Sequence, residues 1–127
     1  MSFPANNARP WATIVAHYAQ FLDKPWGVAM HSLATQLDAK GFVAAGLHGT
    51  TSMFDLLLGT STDVLNNPRL RVRPTTTHVE LQYEDGTLKP WKVDVDFDEL
   101  TDRVERVLLK RARWFRQHER DRATEET

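Results

Sequence analysis

Apolar and polar positions alternate along this chain with two different periods, and the switch between them divides it. After Pro10, the residues Trp11, Ile14, Val15, Tyr18, Phe21 and Leu22 recur at spacings of three and four, which places them on one helix face. Pro10 suits a first helical turn, where its missing N–H has no partner to lose. Asp23 and Pro25 start a second helix, with Asp23 as the expected N-cap, and Trp26, Met30, Leu33, Ala34 and Leu37 continue one stripe. Gly41 after Lys40 fits a left-handed C-cap, with Phe42 placed for the apolar contact such caps make. Two antiparallel helices joined by a short loop follow from this pattern.

Residues 42–59, FVAAGLHGTTSMFDLLLG, hold one charge, Asp55, and three glycines. Periodicity does not separate a buried strand from a buried helix in so short an apolar run. The composition predicts a strand over 42–47, a turn at Gly49-Thr50-Thr51 and a strand over 52–58. A short helix over 52–58 capped by Ser52 is the alternative. Residues 60–68 are a loop by composition.

Beyond Pro68 the period becomes two. Residues 69–73 put Leu70 and Val72 on one face and Arg69, Arg71 and Arg73 on the other. Residues 78–83 point Val79, Leu81 and Tyr83 inward, and 91–97 do the same with Trp91, Val93, Val95 and Phe97. Three half-buried antiparallel strands result. Parity constrains the last hairpin, because opposed residues share a sheet face. A two-residue Asp85-Gly86 turn would set Val79 against Lys92. A three-residue Glu84-Asp85-Gly86 loop sets Val79 against Trp91 and Tyr83 against Thr87, and is preferred. Pro90 then suits an edge strand. A helix from about Asp98 to His118 ends the pattern, with Leu100, Val104, Val107, Leu108, Arg111 and Phe115 as its inner stripe. The fold expected is α+β: two N-terminal helices, an antiparallel sheet of four or five strands, and a long C-terminal helix on the sheet's apolar face. All 127 residues form one domain, with loose ends at 1–8 and 119–127.

Charge adds an asymmetry. Residues 1–68 carry only Arg9, Lys24, Lys40, Asp23, Asp38, Asp55 and Asp63, leaving thirteen of the sixteen basic and thirteen of the seventeen acidic residues to 69–127. Either the first half supplies most of the core, or another subunit covers part of it. The net charge of -1 gives no overall attraction to nucleic acid or acidic lipid. Cysteine is absent, which excludes a disulfide scaffold, a thiolate zinc site and a cysteine nucleophile. MSFPANNARP shows no basic region followed by an apolar run, so a cytoplasmic location is expected.

Few constellations invite chemistry. Asp94, Asp96, Asp98, Asp102 and Glu105 match positions 1, 3, 5, 9 and 12 of a calcium loop, yet Glu99 stands where the sharp turn needs glycine. A strand face, a helix cap at Asp98 and an acidic first turn account for the same residues. Lys110, Arg111, Arg113, Arg116, Arg120 and Arg122 suit a helix C-terminus and belong to no nucleic-acid motif. His17, His31, His48, His78 and His118 show no metal-ligand spacing. His48, between Gly46 and Gly49 with Ser52 and Asp55 nearby, could line a pocket, and Gly49-Thr50-Thr51-Ser52 could bind an anion if 52–58 were helical. No nucleophile elbow or phosphate loop is present, and no cofactor is expected.

Two functions remain. The first is a non-enzymatic homodimeric module that binds a protein partner through Arg69, Arg71, Arg73, His78, Glu80 and Lys92 on the outward strand face. The second is a small-molecule-binding domain or small enzyme with a pocket between sheet and helices, lined by His48, Phe54, Tyr83 and Trp91.

Overall fold

The computed structural model describes residues 6–84 and 91–111. Helix α1 (Trp11–Ala19) and helix α2 (Pro25–Ala39) follow the three-four stripe, burying Ile14 and Tyr18 from the first and Met30, Leu33, Ala34 and Leu37 from the second. Because α1 stops at Ala19, Leu22 falls in the connecting turn and leaves the stripe, 47% exposed. The N-cap of α2 is Lys24 rather than Asp23, with no side-chain cap bond; Pro25 starts the helix through its fixed φ. The connection is tight: a Cβ on Gly27 would lie 1.8 Å from the Phe21 carbonyl oxygen. Gly41 closes α2 at φ 87°, its N–H bonding the Asp38 carbonyl while the Phe42 N–H bonds that of Leu37. That pair of bonds is a Schellman cap, as the sequence suggests.

Residues 42–47 do not form the expected strand. They are successive turns in which Ala45, Gly46 and Leu47 N–H groups bond the carbonyls of Gly41, Val43 and Phe42. Leu47 is buried and Phe42 and Ala45 pack on the core, so the apolar run is spent on packing without a ladder. The first hairpin comes later, as β1 (His48–Ser52) and β2 (Asp55–Gly59), which settles 52–58 against the helix and removes the proposed helix-terminal anion site. Gly49-Thr50-Thr51 is strand, and the turn is the two residues Met53-Phe54. Gly49 marks a close approach rather than a turn: a Cβ there would meet the Trp11 ring at 2.9 Å.

Strands β3 (Arg69–Pro74), β4 (Val79–Glu84) and β5 (Trp91–Val95) complete one antiparallel sheet in the order β1-β2-β3-β4-β5. The last hairpin differs from expectation. Val79 faces Val95 and Tyr83 faces Trp91, so neither the Val79–Trp91 nor the Tyr83–Thr87 pairing occurs. A shift of four residues keeps parity, and the same side chains still face the core. The gain is Trp91 beside Tyr83, an aromatic cross-strand pair, at the cost of a longer connection. Asp85, Gly86 and Pro90 lie outside the described residues, but β5 is an edge strand as Pro90 implies.

From β5 the chain passes through a 3-10 turn (Phe97–Glu99) into α3 (Leu100–Arg111). Leu100, Val104, Val107 and Leu108 are buried, as their spacing predicts. Asp98 sits inside the 3-10 turn; Asp96 precedes it and makes no side-chain cap bond, so the acidic residues act only by charge near the helix start. Lys110 is exposed near the end of α3, while the side chains of Arg111, Arg113, Phe115, Arg116, His118, Arg120 and Arg122 and the 119–127 tail lie outside the described residues.

The helices cover one sheet face, with α1 over β1 and α2 against both α1 and α3. The core joins Ile14, Tyr18, Met30, Leu33 and Leu37 to Leu56, Leu58, Leu70, Val72, Leu81 and Val104, an α+β architecture. Within the segment expected to be loose, residues 7 and 8 are held: the Asn7 and Ala8 N–H groups both bond the Thr62 carbonyl. The Asn7 amide donates to Asp63 at 2.7 Å and its Oδ1 accepts from the Val64 N–H at 2.7 Å. Hydrogen bonds from Asn7, then Asn66, hold the Asp63 carboxyl below its ordinary range. No helix among the described residues is long and apolar enough to cross a membrane.

Candidate functional site

Two surfaces stand out. The first is the sheet face away from the helices. Register places Arg73 opposite Glu80, Arg71 opposite Gln82 and Arg69 opposite Glu84 on β3 and β4, with Asp94 and Lys92 next on β5. All six residues read from the sequence as partner-binding are therefore on one face. Two carboxylates absent from that set bind its arginines together. Glu84 accepts from Arg69 at 2.8 Å and from Arg71 at 2.9 Å, and Asp55 accepts from Arg71 at 2.9 Å and Arg73 at 3.1 Å. Asp55 is buried, and Glu84 and Arg71 are more than three-quarters covered. The Glu84 bond, followed by that to Asp55, pushes the Arg71 guanidinium above its ordinary value. Charge-assisted pairs this enclosed are stronger than solvated ones. Further out the contacts loosen. Lys92 lies 3.8 Å from Glu80, and the His78 Nε2 lies 3.8 Å from Glu80 and 3.7 Å from Asp94.

His78, Glu80 and Asp94 bring one ligand atom each within 4.8 Å of the others, a set a divalent cation could use. The Thr77 hydroxyl sits 2.9 Å from Nδ1 of His78 and orients the ring. Of the acidic run read as a calcium loop, only Asp94 joins this trio; Asp96 and Asp98 continue toward α3 through the 3-10 turn.

The pocket quartet is not brought together. His48 lies on the outer face of the β1 edge and Phe54 at the opposite end of that hairpin. Tyr83 and Trp91 pair on the core face of β4 and β5. Four strand spacings of about 4.8 Å separate His48 from β5. His48 and Ser52 stand four residues apart on one strand, about 13 Å, and Asp55 is engaged by arginines, so no Ser-His-Asp triad assembles.

The second surface is apolar and was legible only in part. Among the described residues, the five large hydrophobic side chains left exposed are Leu22, Val28, Met53, Phe54 and Leu65, every one within the charge-poor first 68 residues. Residues 6–68 also supply twelve of the twenty-one buried hydrophobic side chains, so the charge-poor half gives most of the described core as well as these exposed residues. Leu22 lies in the α1–α2 connection and Val28 on α2; Met53 and Phe54 form the β1–β2 turn, which meets that connection at Phe21 and Trp26. There Phe54 stands edge-on to Phe21 at 5.4 Å and lies 5.2 Å from Trp26. The Tyr18 hydroxyl donates to the Phe54 carbonyl at 2.9 Å, tying the hairpin tip to α1. Burial, then the charge of Asp55, pushes the Tyr18 phenol well above its ordinary pKa, so it remains a donor.

At the tip, Met53 has φ 56° and is 85% exposed. A non-glycine residue in the left-handed region costs about 1 kcal/mol or more. Next to it an open groove of about 520 Å3 runs between Trp26, Phe54 and Pro74, with Lys24 at its rim. Beyond Pro25, a smaller groove of about 310 Å3 includes Val28 and Phe97. Of the residues named from the sequence, only Phe54 belongs here. The overlooked signal was Met53-Phe54 itself, two large apolar residues between Ser52 and Asp55 at a turn. Comparison with family models, with curated proteins and with solved structures finds no match.

Proposed function

We propose that this protein is a protein-interaction module that binds a partner's peptide segment at its apolar end. One observation carries the reading: Phe54 remains exposed on the Trp26–Pro74 groove with Met53 exposed beside it in the β1–β2 turn, in the half of the chain with fewest charges. An exposed apolar cluster with a polar rim is the usual mark of a contact surface. Met53 takes the positive φ that the first position of a two-residue hairpin turn requires, yet it is a large apolar residue where glycine is usual. Lys24 makes no ion pair among the described residues, so the fitting segment carries an apolar or aromatic side chain next to a carboxylate. The arginines of the outer sheet face are spent on Asp55 and Glu84, which supports placing the contact at the apolar end instead.

Selection from a random peptide library displayed on phage, against the full chain, tests this. Enriched peptides should share an apolar residue next to Asp or Glu, and their binding should fall more than tenfold in Met53→Asp. Lys24→Glu should turn the acidic preference basic. Enrichment of peptides that bind Met53→Asp equally well would overturn the proposal. So would failure to enrich any peptide while small-molecule fragments shift the Trp26 signals, an outcome favouring a ligand pocket.

A further inference from the structure

We infer that β5 is the seam of a homodimer, pairing antiparallel with β5 of a second copy about a two-fold axis at Val93. The inference goes beyond the peptide-binding reading and does not involve the apolar end. Of the two outer strands, β1 is already engaged on its far side, where the Arg9 N–H bonds the Gly49 carbonyl at 2.8 Å. Strand β5 closes the other edge, and no strand among the described residues pairs with its far side. An edge strand is a template for another chain unless its side chains forbid the match.

The side chains of β5 select one match. Trp91, Val93 and Val95 face the core side, while Lys92 and Asp94 face outward. Antiparallel pairing must keep outward opposite outward. Of the three central registers that do so, one sets Lys92 against its own copy and another sets Asp94 against its own copy. Both place like charges directly opposite, which is unfavourable. The third, centred on Val93, sets Lys92 against the second copy's Asp94 and Asp94 against its Lys92, two equivalent opposite-charge pairs. On the core side the same register puts Trp91 beside Val95 and Val93 beside Val93. Val93 is only partly buried among the described residues and gains cover from this.

A second, independent feature points the same way. Within the monomer Asp94 stands directly opposite Glu80, two carboxylates facing across β4 and β5. Lys92 of the second copy would flank Asp94 from its open side and offset that repulsion. The sheet then runs through ten strands, and the outward charges of β3, β4 and β5 in each copy meet across the seam. Five residues a side is a short seam against a standard interface of about 1,600 Å2, so the dimer dissociates on dilution.

Sedimentation equilibrium over a concentration series of the full chain tests the register. Wild type should show monomer and dimer in exchange. Lys92→Asp and Asp94→Lys should each weaken the dimer about tenfold or more, because each converts both seam pairs to like charge. An equimolar mixture of the two variants should form a heterodimer at least as tight as wild type, since every seam pair is again opposite. Circular dichroism melts confirm that both variants fold. A monomeric wild type at its solubility limit overturns the inference, as does a dimer indifferent to both variants. A dimer lost only in Met53→Asp also overturns it, by locating self-association at the apolar end. Peptide selection is read separately, so either proposal can fail alone.

Discussion

The outer sheet face and the apolar end are both open to solvent, yet they relate to the fold in opposite ways. On the sheet face the strongest groups answer one another: Asp55 and Glu84 each take two arginines, and three strands are cross-linked by side chains as well as backbone. At the apolar end Trp26, Phe21 and Phe54 cover one another only in part, Leu22 is about half exposed and Met53 is nearly all in solvent. A surface crowded with charge can be complete in itself, whereas a nearly uncharged one can be the part awaiting a partner. Counting charges points to the sheet face; counting unmet groups points to the apolar end.

The sharpest way to break the apolar end is at its hinge. Gly27→Ala would push a methyl to 1.8 Å from the Phe21 carbonyl oxygen and 2.5 Å from its carbonyl carbon, both backbone atoms that cannot rotate away. The α1–α2 turn must open, and Phe21 and Trp26 move with it. A loss of about 3 kcal/mol or more is expected in urea unfolding. If the variant melts with wild type, the two helices are not held as described.

On the sheet face, Asp55→Ala should be next in size. It leaves Arg71 with Glu84 alone and takes the nearest carboxylate from Arg73, in a site screened from water on the Asp55 side. A cost of about 2 kcal/mol is expected, against less than about 0.5 kcal/mol for Lys92→Ala in the monomer, whose pair with Glu80 is long and exposed. Denaturant titrations of both variants, at a concentration where the wild type is monomeric, give the ratio. Equal effects would mean that enclosure of the arginine network contributes nothing.

The contrast between these surfaces was half legible in the sequence. Alternation after Pro68 placed Arg69, Arg71, Arg73, Glu80 and Lys92 on one face correctly, because a period of two is a local property of a strand. Asp55 and Glu84, which complete the network, were missed through register. Glu84 continues the outward series of Glu80 and Gln82, but a short-loop preference assigned it to a turn. Asp55 was considered beside His48 and Ser52, its neighbours in sequence. Its partners lie sixteen and eighteen residues away, and only the β2–β3 pairing brings them in. The apolar run at 42–47 misled for a related reason. Composition reports that a segment will be buried, not whether its backbone bonds close locally or across a ladder, and here they close locally.

The tether between hairpin and helix is a smaller lever. Tyr18→Phe keeps the ring in the core but leaves the Phe54 carbonyl without the Tyr18 hydroxyl. The expected cost is about 1 kcal/mol. Amide exchange should quicken in the β1–β2 turn while the sheet centre is unchanged. Uniform quickening would show that the tip is not held separately.

The smallest effect is the most discriminating, because stability and binding should move in opposite directions. Met53 is the one non-glycine residue with positive φ among the described residues, and its side chain is nearly all in solvent. Met53→Gly removes the Cβ clash of the left-handed region and discards little buried surface. Part of that gain is returned through the greater freedom of glycine in the unfolded chain, leaving the fold about 0.5 kcal/mol more stable. If Met53 served only as a turn residue, glycine would be better there in every respect. The proposal instead expects peptide affinity to fall severalfold in a protein that melts higher. A variant that gains stability and keeps full affinity would show that the apolar tip is not part of the contact, and that the groove at Trp26 and Pro74 acts without it.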